Sequence, residues 1–146
     1  MTVALSGQEV AKKITGQFAE AVVESSGQAI LVTSESLFDV AQYLKNSPEF
    51  DFDYPVNITA VDYYDYFELV YQLVSIEQNH SLILKTRSYD REKPTVPSVV
   101  SLWQGADYQE REIFDLMGIS FEGHPNLKRI VLWQGFEGHP LRKDYL

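Results

Sequence analysis

The sequence predicts an α+β fold: a small, mostly antiparallel sheet with helices packed on one face, followed by an extended C-terminal tail. Three observations carry this reading. Two stretches with apolar residues at helical spacing open the chain, β-branched and aromatic runs joined by tight polar links fill its middle, and two Gly-His-Pro units stand near its end. At 146 residues and 45% hydrophobic composition, the chain suits one folded core. We divide it into a compact domain at 1–120 and a partner-docking tail at 121–146.

Ser6 and Glu9 have the spacing of a capping box at a helix start. Val10, Ile14, Phe18, Ala21 and Val22 then form one apolar stripe, so the first helix is expected to run on toward Gly27. Ala29–Thr33 reads as a strand. Ser34 or Ser36 caps a second helix carrying Leu37, Val40, Ala41 and Leu44, which Asn46-Ser-Pro48 ends. Glu49–Pro55 is a loop, because a residue before proline is pushed out of helix. Strands follow around 56–63, 66–76 and 81–88, and the links Tyr64-Asp65 and Gln78-Asn79-His80 favour hairpins. Asp90–Pro97 is polar and reads as an exposed connection. A helical pattern returns from Ser98 to Met117, interrupted at Gly105, with Gly118 as its C-terminal cap. Lys128–Trp133 is a candidate last strand.

Composition excludes several chemistries. There is no cysteine, hence no disulfide, thiolate zinc site or cysteine-held iron–sulfur cluster. The start MTVALSGQEVAKK lacks the pattern of a secretory signal, and no run approaches the roughly 20 apolar residues of a membrane helix. A net charge of −9 argues against a sequence-independent grip on nucleic acid or anionic lipid. The charge is uneven. Seven acids and no Lys or Arg lie between Lys45 and Lys85, whereas from His124 onward Lys128, Arg129, Arg142 and Lys143 outnumber Glu137 and Asp144.

On the last helix Ala106, Ile113 and Met117 define an inward stripe, and Glu110 falls on it. A carboxylate there is either a general acid whose pKa burial has raised, or an acceptor for backbone amides or a partner's arginine. The second reading is preferred, because no nucleophile or partner acid stands at a recognisable spacing. Arg111 lies one turn from both Asp107 and Asp115, within reach of local ion pairs. The pentapeptide FEGHP occurs at 121–125 and again at 136–140, and each Gly-His-Pro bends the chain and fixes where an imidazole points. His124, His139, Glu122 and Glu137 are the only candidate metal set, and their spacing does not demand one. Nucleotide-binding loops and a nucleophile elbow are missing from the sequence.

Glu110-Arg-Glu-Ile-Phe-Asp-Leu-Met117, followed by His124 and Lys128-Arg-Ile130, resembles the C subunit (30 kDa-type) of the proton-pumping NADH–quinone oxidoreductase, respiratory complex I, with its E-R-E-x-x-D signature. Pro97-Ser-Val-Val-Ser-Leu-Trp103 and Ala106-Asp-Tyr108 upstream, and Glu137-Gly-His-Pro-Leu-Arg-Lys-Asp-Tyr145 downstream, extend the resemblance. It implies a non-catalytic component of the peripheral arm, packed on the quinone-site D subunit near the B and I subunits, at the cytoplasmic side of an energy-converting membrane. Flavin, iron–sulfur clusters and quinone would be held by other subunits, with no cofactor or metal in this chain. Glu110, Arg111, Glu112, Asp115, His124, Lys128, Arg129, His139, Arg142, Lys143 and Tyr145 are then the candidate partner-interface residues. Two alternatives stand beside this: the equivalent subunit of a membrane-bound energy-converting hydrogenase, and a stand-alone metal-dependent hydrolase using His124 and His139.

Overall fold

The structure, a computed structural model, describes residues 2–129 and 138–143. Its elements are β1 (Val3–Ala4), α1 (Gly7–Gln17), β2 (Val22–Ser26), β3 (Ala29–Val32), a 3-10 turn (Ser34–Ser36), α2 (Leu37–Asn46), β4 (Tyr54–Asp62), β5 (Phe67–Ser75), β6 (His80–Ser88), β7 (Thr95–Pro97), α3 (Ala106–Met117) and β8 (Ser120–Glu122). The main sheet runs in the order β2-β3-β6-β5-β4, with β1 also on β6. Its β2–β3, β5–β6 and β4–β5 pairs are antiparallel, while β3 and β1 run parallel to β6. The α+β class and the mostly antiparallel sheet therefore hold.

Period-two alternation sorts the faces. Phe67, Leu69, Tyr71 and Leu73 of β5 and Leu82 and Leu84 of β6 enter a core shared with Ile14 of α1, Leu37, Val40 and Leu44 of α2, and Ile113 and Met117 of α3. Glu68, Gln72, Lys85 and Arg87 occupy the alternate positions. Trp103 anchors the loop before α3, its Nε1 donating to Phe52 O at 2.9 Å.

Sequence periodicity and structure differ in five places. The first helix stops at Gln17 instead of approaching Gly27, and Val22–Ser26 is a strand. Val22 pairs with Val32 of β3 and Glu24–Ser26 pair with Leu31–Ala29, across a hairpin turned at Gly27, and this ladder outweighs a helical stripe that Ala21 and Val22 matched by coincidence. The connection at 90–97 is not wholly exposed: β7 pairs in parallel with β8, burying Val96 and Phe121. The helical pattern from Ser98 resolves into turns up to Gly105, and only Ala106–Met117 is helix. His80, expected in the hairpin link, instead opens β6, where it is buried with Nε2 2.6 Å from Phe50 O. Lys128 and Arg129 are not in a strand, and residues 130–133 of the expected last strand lie outside the described residues.

β7, α3 and β8 form one crossover, which two parallel strands require. Phe121 and Glu122, assigned by sequence to the tail, belong to it. Beyond Glu122 the described residues contain no helix or strand, and they return along α3.

α1 begins tightly against the β2–β3 hairpin. A Cβ at Gly7 would stand 2.3 Å from Ala29 O, and Gly7 N donates to Gly27 O at 2.8 Å. Backbone on both sides cannot give way cheaply. Gly7→Ala should cost about 2 kcal/mol, as overpacking typically does; urea unfolding checks this, and a midpoint equal to wild type would refute the contact.

Candidate functional site

The polar residues singled out by sequence gather around α3. Glu110 is fully buried, one turn behind Ile113 on the inward stripe. Its Oε1 accepts from Ser98 Oγ at 2.6 Å and its Oε2 from Val99 N at 2.9 Å, while Ser98 Oγ accepts from Val100 N at 3.2 Å. The carboxylate thus holds the turn that enters α3. Burial, acting against these bonds, pushes its pKa up from 4.5 to about 7. Tyr71, buried in β5, has its phenol pushed well up by burial and then by the Glu110 charge.

At the other end of α3, four carbonyls lack partners within the helix. Gly118, at φ 77°, donates its N–H to Phe114 O at 3.0 Å. His139 Nδ1 lies 3.1 Å from Asp115 O, Leu141 N donates to Leu116 O at 3.0 Å, and Arg142 Nε donates to Met117 O at 2.5 Å. The second Gly-His-Pro unit is therefore a cap on the helix. A Cβ at Gly118 would stand 2.6 Å from His139 Cδ2 and 2.8 Å from Arg142 Nη2, so the glycine makes room for the ring.

The first unit works on the flank. His124 Nε2 is 3.0 Å from Asp107 Oδ1, and its Nδ1 accepts from Asn126 N at 2.9 Å, which makes Nε2 the protonated nitrogen of the neutral ring. Arg129 pairs with the buried Asp115 at 3.0 Å and donates to Gly138 O at 3.3 Å. Arg111 packs over Tyr108 and donates to Lys128 O at 3.3 Å. Asp107 and Asp115, which sequence spacing offered to Arg111, are thus met by residues of the returning chain.

Sequence reasoning did not single out the junction at Asp62. This buried carboxylate takes Arg91 Nη1 and Nη2 at 2.6 and 3.0 Å, Tyr64 N at 2.8 Å and Lys143 N at 2.9 Å. The Arg91 guanidinium is the first cause that holds its pKa far below the ordinary carboxylate range. Arg91 and Lys143 stand 29 and 81 residues away, beyond any local pattern. Of the other predicted residues, Glu112, Lys128 and Lys143 are exposed, while Glu137 and Tyr145 lie outside the described residues. His124 and His139 turn to different partners, and among the described residues no group of three or more His, Asp or Glu could hold a metal ion.

The family model for the respiratory-chain NADH dehydrogenase 30 Kd subunit matches residues 30–146, which include α3 and the Glu110, His124, His139 and Arg142 contacts described above. This chain belongs to that family. The match agrees with the sequence resemblance. The chain is 39% identical to the C subunit of NADH-quinone oxidoreductase from Roseiflexus sp. (strain RS-1), over 97% of this chain and 84% of that protein. It is 36% identical to the corresponding C subunit from Cupriavidus taiwanensis, over 92% and 72%. In fold it is similar to a chain of the membrane-bound sulfane sulfur reductase, an archaeal respiratory membrane complex, with a TM-score of 0.76, 28% identity, and coverage of 95% and 85%. A trypsin-resistant fragment (1-134) of Nqo5 matches with a TM-score of 0.63 and 27% identity, over 82% of this chain and 98% of the fragment.

Two measurements test the seam. Because the folded pKa of Glu110 is raised, its stabilising contribution is complete below about 4.5 and is lost as pH rises through about 7. Asp62 has the opposite sign, with its contribution complete above the ordinary carboxylate range, so it is flat in this window. Wild type should lose up to about 3 kcal/mol relative to Glu110→Gln between pH 4.5 and 7.5, read by denaturant unfolding; parallel pH profiles would contradict the burial argument. Gly118→Ala combines a left-handed backbone with a ring clash and should cost about 2–3 kcal/mol. Hydrogen exchange should show the Leu141 amide losing protection; an unchanged rate would mean the tail does not cap α3.

Proposed function

We propose that this chain is a non-catalytic peripheral-arm subunit of a complex I-type, proton-pumping NADH (or other donor)–quinone oxidoreductase, attached at the cytoplasmic side of an energy-converting membrane. Its role is to support the quinone-site D subunit, beside the B and I subunits, with flavin, clusters and quinone held elsewhere in the assembly. Family membership supports the assembly. The observation that carries the non-catalytic role is that Glu110, Asp115, His124 and His139 are bonded to backbone and side chains of this same chain. Among the described residues no helix is long and apolar enough to cross a membrane, so attachment falls to partner subunits in this reading.

Partner contacts then belong to side chains left outward: Glu112 and Tyr108 on α3, Lys128, and Lys143. Glu110 and Arg111 act behind them by holding the helix in place. A second reading, the equivalent subunit of an energy-converting hydrogenase or a related membrane complex with another donor, draws support from the fold likeness to the sulfane sulfur reductase chain. The two differ in neighbours and not in this chain's contacts.

The test is affinity purification of the tagged full-length chain from native membranes in mild detergent, with co-eluting proteins identified by mass spectrometry. We expect quinone-reductase subunits in equal stoichiometry, and neither flavin nor iron in the chain purified alone. Recovery of a monomer carrying bound metal and hydrolytic activity would overturn the reading.

A further inference from the structure

Among the described residues no strand pairs with the outer edge of β4 in the main sheet. Sheet edges are commonly shielded by lysine, proline or a bulge. Here the proline is Pro55 and the register shift lies between Pro55 and Asn57, so that shielding ends where the regular pairing of Asn57–Asp62 with β5 begins. The Ile58 N–H points away from β5, because Gln109 Oε1 of α3 takes it at 2.6 Å. An antiparallel ladder alternates, so Ala60 turns its N–H and C=O to the same open side.

A groove of about 210 Å³ runs beside this edge, between β4 and α3, lined by the apolar Ile58, Ala60, Ile113, Leu116 and Met117. Leu141, 60% exposed, closes its lining. Among the described lining residues Glu112 alone is charged. Asp53 and Asp65 stand exposed beyond the two ends of β4, and from residue 46 to 84 the chain has no Lys or Arg. An edge with open backbone groups at Ala60, an Ile58 amide held only by the Gln109 side chain, and an apolar groove whose one charge among the described lining residues is the Glu112 carboxylate is complementary to one kind of occupant.

We propose that the β4 edge and the α3 groove receive an extended apolar segment of a partner polypeptide, which adds as a strand to β4 and sets a Lys or Arg against Glu112. Backbone bonds at Ile58 and Ala60 give the register and the groove selects alternate apolar side chains. Gln109 is the placeholder. Its Nε2 already donates to Gly105 O at 3.3 Å, so the side chain has a resting place on α3 when the incoming strand takes the Ile58 amide. A second copy of this chain is a poor occupant, because two-fold pairing of β4 edges would bring like charges together on a molecule of net charge −9.

The inference rests on the subunit reading, and one experiment separates them. A photo-crosslinking amino acid is placed at Thr59 of the tagged chain, with Val23 on the opposite edge strand as control, and the complex is purified after irradiation. The expected result is a Thr59-specific crosslink to a segment of another subunit in which a Lys or Arg adjoins apolar residues. Ala60→Pro and Glu112→Arg, each checked for wild-type melting, should each reduce the retained partner about tenfold; Thr59→Lys serves if Ala60→Pro does not fold. Other subunits co-purifying without a Thr59 crosslink, or a crosslink only to a second copy, overturns the inference and leaves the subunit reading standing. Absence of other subunits overturns both.

Discussion

The last turn of α3 is closed from outside. Four carbonyls at a helix end must find donors, and here Gly118, His139, Leu141 and Arg142 supply one each. Three of the four come from more than twenty positions further along, so the helix cannot be finished until the end of the chain has returned to it. Glu110 does the complementary work at the other end by fixing the turn at Ser98–Val100. Held at both ends, α3 covers the sheet beside β4 and carries Glu112 on its outer side. The small parallel pair β7–β8 fits this scheme, because it anchors the chain just before and just after the α3 crossover.

The acidic middle of the chain is reconciled with folding by long-range pairing. Asp62 meets Arg91, Glu68 meets Arg87 at 3.1 Å, and Glu49 meets Lys13 at 2.7 Å. These pairs do not have equal weight. Lys13 and Glu49 are half-exposed and contribute little. Asp62 is buried and takes several donors, so losing one of them would leave a charge without full compensation. Its bond from Lys143 N joins the β4–β5 turn to the same returning segment that caps α3. Helix end and sheet end are thus fastened by one short stretch of chain.

Much of this was legible in the sequence where the signal is local. The stripe of α2, the β-branched runs of β4, β5 and β6, the Ser6 cap and the glycine after Met117 each describe a segment by its own residues. Glu110 was legible as a buried acid because it shares a helical face with Ile113 and Met117. What escaped depends on distant partners. β2 competes with a helical spacing and wins through β3, while β7 and β8 are three residues each, too short to show a period. The spacing of His124 and His139 located two chain bends. It could not say that one ring would reach Asp107 and the other a helix carbonyl.

Those partners also decide what the Glu-Arg-Glu-x-x-Asp pattern does. At about 100° per residue, Arg111 and Asp115 share a face, Glu110 points roughly a quarter-turn away and Glu112 turns further outward. Each direction meets different matter: Glu110 the turn before the helix, Asp115 the Arg129 guanidinium, Arg111 the Lys128 carbonyl, Glu112 solvent. A general acid must come within hydrogen-bond reach of the proton it moves. Glu110 has no exposed surface, and the donors at both its oxygens belong to the chain that encloses it. Its raised pKa follows from burial in an apolar place, where Ser98 and Val99 donate to its two oxygens, and the pattern fastens other stretches of this chain to one helix.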